Sequence, residues 1–387
     1  MWYRKILDFS TTKFGSANPF TVEVQKCIDE LQNNKGANTL SDIWNSVSTI
    51  SDALNSPDPE LYKFFKWYDL LTKENKEVPN VVAFRNLLIN LQAAIQKIKE
   101  NSEFSIDGKN TSELCQYTKL NTLKFLVKTG SEEDKTPGKL RLSNVVYLND
   151  PSEGQVFIDL LNSHKSIQST PTSLFNELFG RSIERDEQTL TQIHSYDVYI
   201  SSFSTAKNKL PLWTLYGDNS NGCCMVFDKT FFTSSRKQID PSQSNKYEQD
   251  LTLYKVHYCN KSFESINEDI KPLIENIADI LLQLQKIIKL NVELFQWVVN
   301  NLEEIRFLFK SDDYQYENEV RLILRGGVTR PIVDRTTDVP KLYINIDKQV
   351  VFKEIILGAK VENPSAIAQF LLFAGIKNVT LSGITFR

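Results

Sequence analysis

The segment that most constrains this chain is Tyr314-Gln315-Tyr316-Glu317-Asn318-Glu319-Val320-Arg321-Leu322-Ile323-Leu324. It reads as a short polar approach running into a β-strand: Val320, Leu322 and Leu324 alternate with Arg321 and Ile323, and β-formers dominate. At period two, Glu317, Glu319 and Arg321 share one face. Two carboxylates and a guanidinium at the mouth of a strand make either a charge-handling site or a solvated strand edge with a salt bridge. The two imply different proteins.

The 387 residues suffice for two or three compact units. A net charge of -3 supplies no global basic field for nucleic acid, although a local basic groove stays open. Met1 to Asp8 lacks the apolar stretch of a signal peptide, and apolar runs such as Ile280-Leu281-Leu282 are interrupted by charges. The expectation is a cytoplasmic protein with no membrane span. Cys27, Cys115, Cys223, Cys224 and Cys259 are odd in number and irregularly spaced, so they make neither a disulfide framework nor a zinc knuckle. Adjacent Cys223-Cys224 reads as a buried strand pair. His164, His194 and His257 stand far apart, and no Gly-rich phosphate loop of the Walker or dinucleotide type is present.

Along the chain, residues 1–110 read as a helical N-terminal domain. Thr21 to Leu31, Thr39 to Leu54, Pro59 to Lys73 and Pro79 to Lys99 carry apolar residues at three- and four-residue spacing. In the last, Val82, Phe84, Leu87, Leu88, Leu91, Ala94, Ile95 and Ile98 make one stripe. A polar, turn-rich stretch from Asn101 to Asn110 marks the boundary. Residues 111–387 then mix strands (Leu114 to Leu120, Leu140 to Leu148, Ser195 to Phe203, Cys223 to Phe227, Leu251 to Tyr258, Leu342 to Ile346, Phe352 to Leu357, Asn378 to Leu381) with helices. The helices are Thr122 to Lys128, a long run from Ile266 to Lys310, and Pro364 to Ala374. The fold class is α+β with a largely antiparallel sheet.

Three strand-borne pieces stand in order: Tyr117, then Ser202-Phe203-Ser204 with both hydroxyls on one face, then Glu317-Asn318-Glu319. That layout resembles bacterial toxin-like mono-ADP-ribosyltransferases. Over roughly residues 112–387 the chain also resembles the family of domain of unknown function 2971. The pieces that carry this are Asn149-Asp150-Pro151-Ser152-Glu153, Ser202-Phe203-Ser204, Leu212-Trp213-Thr214-Leu215-Tyr216, Gly222 to Asp228, Tyr316 to Arg321 and Ile355 to Lys360.

The resemblance implies an NAD-binding transferase, or an NAD glycohydrolase on the same scaffold, modifying a protein or nucleic-acid acceptor. By family-level analogy its setting would be a toxin or antiviral defence. Glu319 would stabilise the positive charge that develops on the ribose as nicotinamide leaves. Glu317 would orient or deprotonate the acceptor. Arg321 would keep Glu319 ionised. Ser202 and Ser204 would brace the nicotinamide pocket, and Tyr117, Trp213 and Tyr216 would offer flat faces. Arg141 and Asn149 would contact diphosphate or ribose. Relatives place arginine after the tyrosine of the first strand, where this chain has Thr118, which leaves the diphosphate to Lys119 or Arg141. Ser152 stands where the family often has an aromatic residue.

Each piece has a structural counterpart: an ion pair worth roughly 0–1 kcal/mol if exposed for Glu319–Arg321, core packing for Trp213 and Tyr216, a helix cap for Asn149 and Asp150. Two rival functions follow. One is a non-catalytic module whose N-terminal helices bind a protein partner. The other is a nuclease with Asp150, Glu153, Glu317 and Glu319 around a metal.

Overall fold

The structure is a computed structural model that describes residues 81–106, 113–127, 138–148, 150, 153–164, 198–232, 251–260, 266–288, 292–325, 331–335 and 339–384. The helices expected over Thr21 to Leu31, Thr39 to Leu54 and Pro59 to Lys73 lie outside these residues, as does Asn149. The chain divides into two compact units, Met1–Gln96 with Leu273–Leu302, and Lys97–Pro272 with Glu303–Arg387.

The helix Val81–Ser102 follows its apolar stripe, burying Phe84, Leu88, Leu91, Ala94, Ile95 and Ile98. The long run from Ile266 divides into helices Lys271–Ile288 and Val292–Arg306. It does not continue to Lys310. The second helix ends at Arg306, and a strand begins at Phe309.

The strands in chain order are β1 (Cys115–Thr118), β2 (Lys139–Asn144), β3 (Val198–Ser204), β4 (Cys223–Phe227), β5 (Leu253–Lys255) and β6 (His257–Cys259). They continue as β7 (Phe309–Ser311), β8 (Glu319–Arg325), β9 (Ile332–Asp334), β10 (Lys341–Gln349), β11 (Phe352–Leu357) and β12 (Val379–Leu381). Ten of them make one sheet in the order β12-β11-β4-β1-β3-β2-β10-β9, with β8 on β3 and β5 on β8. Every pairing in it is antiparallel except β11 with β12. β6 and β7 form a separate parallel pair. The protein is thus mixed α+β with a mostly antiparallel sheet, as the sequence pattern requires.

β4 is buried along its whole length, which accounts for its unbroken apolar run, and Cys223 and Cys224 lie within it as a buried pair. The single strand expected from Leu251 to Tyr258 is two strands that pair differently, β5 with β8 and β6 with β7. β2 stops at Asn144 rather than Leu148. The Asn144 side chain accepts the Val146 N–H at 3.1 Å and caps a short 3-10 turn, Val145–Tyr147.

One feature of the topology opens the sheet. β3 pairs with β8 along one edge over its full length. Its other edge is shared: β2 covers Tyr199 and Ile200, and β1 meets it at Ser204. Among the described residues Ser201 to Phe203 have no strand partner on that edge, where the Gln116 side chain donates to the Ser202 carbonyl, and a cleft forms there.

Candidate functional site

The cleft at the split of β3 encloses about 260 Å³, or about 950 Å³ with its open mouth counted. That spans the range of small-molecule sites. Its lining includes Tyr117, Arg141, Asp150, Glu153, Ser202, Ser204, Tyr216, Lys310, Glu317 and Glu319.

Strand register explains the convergence. In the β3–β8 ladder Ser202 stands opposite Arg321 and Ser204 opposite Glu319. Directly paired residues share a face, and so do residues two apart on one strand. All four side chains therefore emerge on the cleft side. Glu317 arrives by a different route from the simple strand its sequence suggests. It closes a 3-10 turn, Asp312–Glu317, and Asn318 then takes a left-handed conformation (φ 44°, ψ 55°) before β8 begins at Glu319. Asparagine tolerates that conformation better than most residues.

The centre of the site is a buried charge cluster. Arg321 is about 1% exposed. Its Nε and Nη2 donate to Oε1 and Oε2 of Glu319 at 2.8 and 2.9 Å. Nη1 and Nη2 donate to Oε1 and Oε2 of Glu153 at 2.6 and 3.2 Å, and Nη1 also donates to the Phe307 carbonyl at 2.5 Å. All five guanidinium donors are thereby used. Lys310, buried on β7, donates to Glu317 Oε2 at 2.6 Å and Glu319 Oε2 at 3.1 Å. Tyr216 Oη donates to the other oxygen of Glu317 at 2.5 Å. The backbone N–H of Glu319 donates to Tyr258 Oη at 2.7 Å.

The two carboxylates are driven apart in acidity. Burial opposes ionisation of Glu319, but Arg321, Lys310 and a hydrogen bond from Ser202 outweigh it and hold the group down at about 2. Burial pushes Glu317 up, and the neighbouring Glu319 charge adds to this against Lys310 and Tyr216. Lys310, in spite of its burial, is pushed up by the two carboxylates. Burial and Glu317 likewise raise the Tyr216 phenol. With all groups charged, three carboxylates face two cations within this cluster.

The other expected site residues fall in several places. Ser204 lines the cleft with its hydroxyl occupied, donating to the Glu317 carbonyl at 2.5 Å and accepting from Ala206 N–H at 2.9 Å. Tyr117 donates to the Ala206 carbonyl at 2.8 Å and accepts from Lys209 N–H at 3.0 Å. Trp213 is fully buried and outside the lining, edge-on to Tyr117 with ring centroids 5.1 Å apart and Nε1 donating to Asn208. Arg141 lies at the rim, paired with Asp334 at 3.1 Å. Thr118 donates to Thr122 at 2.8 Å, and Lys119 does not line the cleft.

Two members of the cluster carry more than their sequence suggested. Lys310 was hidden in a stretch that reads as helix. Glu153 sits just before the helix Gln155–Asn162, where an acid is ordinary, and only the fold brings it to Arg321. Among the described residues no group of three or more His, Cys, Asp or Glu is placed to hold a metal ion, and no helix is long and apolar enough to cross a membrane.

The family model described as protein of unknown function (DUF2971) matches residues 212–322. That span carries Tyr216, Glu317, Glu319 and Arg321, which are among the residues from which the family resemblance is drawn, and it supports that resemblance; it also carries Lys310. No curated protein and no solved structure matches the chain.

Proposed function

We propose that this cleft binds NAD and transfers its ADP-ribose to a macromolecular acceptor. The observation that carries the reading is a pair of acids in one cleft: Glu319 at the start of β8, its pKa held low by Arg321 and Lys310, and Glu317 at the end of the preceding 3-10 turn, its pKa raised by burial. A buried anion whose charge is fixed suits a ribose carbon on which positive charge develops. A neighbour whose pKa is raised suits proton transfer from an acceptor. This is the division of labour between paired carboxylates that environment commonly produces.

The donor set fits NAD in part. Ser202 and the ring of Tyr216 line the interior where nicotinamide would sit. Of the two cations weighed for the diphosphate, Arg141 lines the cleft and Lys119 does not. Glu319 acts chiefly through its charge, since Arg321 and Lys310 already donate to its two oxygens.

A second reading has its own support. The donors of Arg321 are all satisfied within the protein, as in a purely structural ion cluster, which favours a non-catalytic module that binds a partner. Labelled NAD separates the two. Nicotinamide release or label transfer is expected from the wild-type chain and not from Glu319→Gln or Glu317→Gln. No NAD binding and no turnover by a folded wild-type chain would overturn the transferase reading.

A further inference from the structure

Arg141 leads out of the cleft onto an exposed aromatic strip. It emerges from β2 on the same face as Ser143, which also lines the cleft, and β10 brings Tyr343 opposite Ser143. The Arg141 guanidinium lies 4.3 Å from the Tyr343 ring centroid and 5.6 Å from that of Phe125. Lys124 approaches the same Phe125 ring at 5.0 Å. Phe125, on the helix Leu120–Leu126, is 52% exposed, although a large apolar ring gains by burial.

Two cations over a half-exposed ring, one of them the cleft-lining Arg141, form a surface for a flat heteroaromatic group attached to phosphate. The aromatic face stacks on the base, and a guanidinium held between two rings is pre-organised to meet the phosphate oxygens. Arg141's pair with Asp334, whose side chains are 42% and 21% exposed, is partly solvated, and a phosphate can compete for the guanidinium. We infer that Phe125, Arg141 and Tyr343 form the adenosine-diphosphate subsite, with adenine stacked on Phe125 and the diphosphate on Arg141. The interior is left to nicotinamide and its ribose. This rests on the NAD reading above, and it adds residues and a direction of binding to it.

The test compares NAD with nicotinamide mononucleotide, which lacks the adenosine half, by titration calorimetry on the full chain. Phe125→Ala should weaken NAD about tenfold or more and leave the mononucleotide unchanged, while Phe125→Tyr should restore NAD binding. Arg141→Ala should weaken NAD further than Phe125→Ala. The exposure of both side chains keeps the fold intact, which circular dichroism and the unfolding midpoint check. If wild type binds NAD and Phe125→Ala binds it equally well, or loses both ligands alike, the subsite is wrong and the NAD reading stands. If wild type binds neither ligand, the NAD reading itself has failed, and this inference with it.

Discussion

Arg321 holds Glu319 through two parallel hydrogen bonds, although the two residues stand only two apart on one strand. Its other side grips Glu153 in the same bidentate manner, 168 positions away in sequence. Removal of a guanidinium so enclosed takes the Arg321 pair from buried Glu153 and leaves buried Glu319 with Lys310 alone. Arg321→Met is therefore expected to cost roughly 3–5 kcal/mol of unfolding free energy, read from urea denaturation. Arg321→Lys should recover little of it, because an ammonium cannot serve two planar forks. A loss below about 1 kcal/mol would place the pair among solvated surface bridges instead.

The buried groups give stability two separate acid windows. Glu319 is depressed from its ordinary 4.5 to about 2 when folded. Its contribution is thus present above 4.5 and lost as pH falls through about 2. His257 is lowered from 6.5 to about 4 by burial and then by Lys255, with its Nε2 2.8 Å from the Ser102 hydroxyl. The unfolded chain binds that proton first, so the His257 contribution is full above 6.5 and disappears as pH drops toward 4. Urea midpoints measured against pH should fall in two stages. His257→Gln should flatten the upper stage only, and Glu319→Gln the lower. A single stage untouched by His257→Gln would contradict the burial of that ring.

What the sequence disclosed about the site follows from the range over which its signals act. Ser202, Ser204, Glu319 and Arg321 were legible because strand alternation is a local rule, and two alternating strands placed side by side keep their faces. The same rule gave no sign of Glu153, whose partner depends on a long-range approach. Lys310 was lost because the apolar spacing of the preceding helix runs on through Phe307, Leu308 and Phe309, and length alone did not mark the change of period. The energetic weight of Glu319–Arg321 was equally illegible, since exposure decides it and sequence does not state exposure. β9 escaped because its Ile332 and Val333 are exposed on an edge strand only three residues long.

Trp213 and Tyr216 lie three residues apart around the short helix Leu210–Leu215, and the structure gives them different work. Trp213 is fully buried and reaches no part of the cleft lining, whereas Tyr216 lines it. Trp213→Ala should cost roughly 3–5 kcal/mol of stability without altering NAD affinity in the molecules that remain folded. Tyr216→Phe should do the reverse, keeping the unfolding midpoint near wild type while changing turnover. Denaturation and single-turnover nicotinamide release on both variants decide this, and equal stability losses would remove the distinction.

Lys310 offers the most direct handle on the chemistry. Its ammonium bonds both acids, and its charge favours the ionised form of each. Removing it in Lys310→Met should lift the pKa of Glu317 above its already raised position. If Glu317 must be ionised to accept a proton, activity is lost below that pKa, and the acid limb of the rate profile should move to higher pH in the variant. Tyr216→Phe should move the limb the same way, because the phenol's hydrogen bond also favours the carboxylate. Lys310→Arg, which keeps the charge, should restore most of the original position. The readout is the pH dependence of kcat/KM for nicotinamide release, which a merely structural lysine would scale without shifting. An acid limb unmoved in Lys310→Met would mean that Glu317 carries no proton in the reaction.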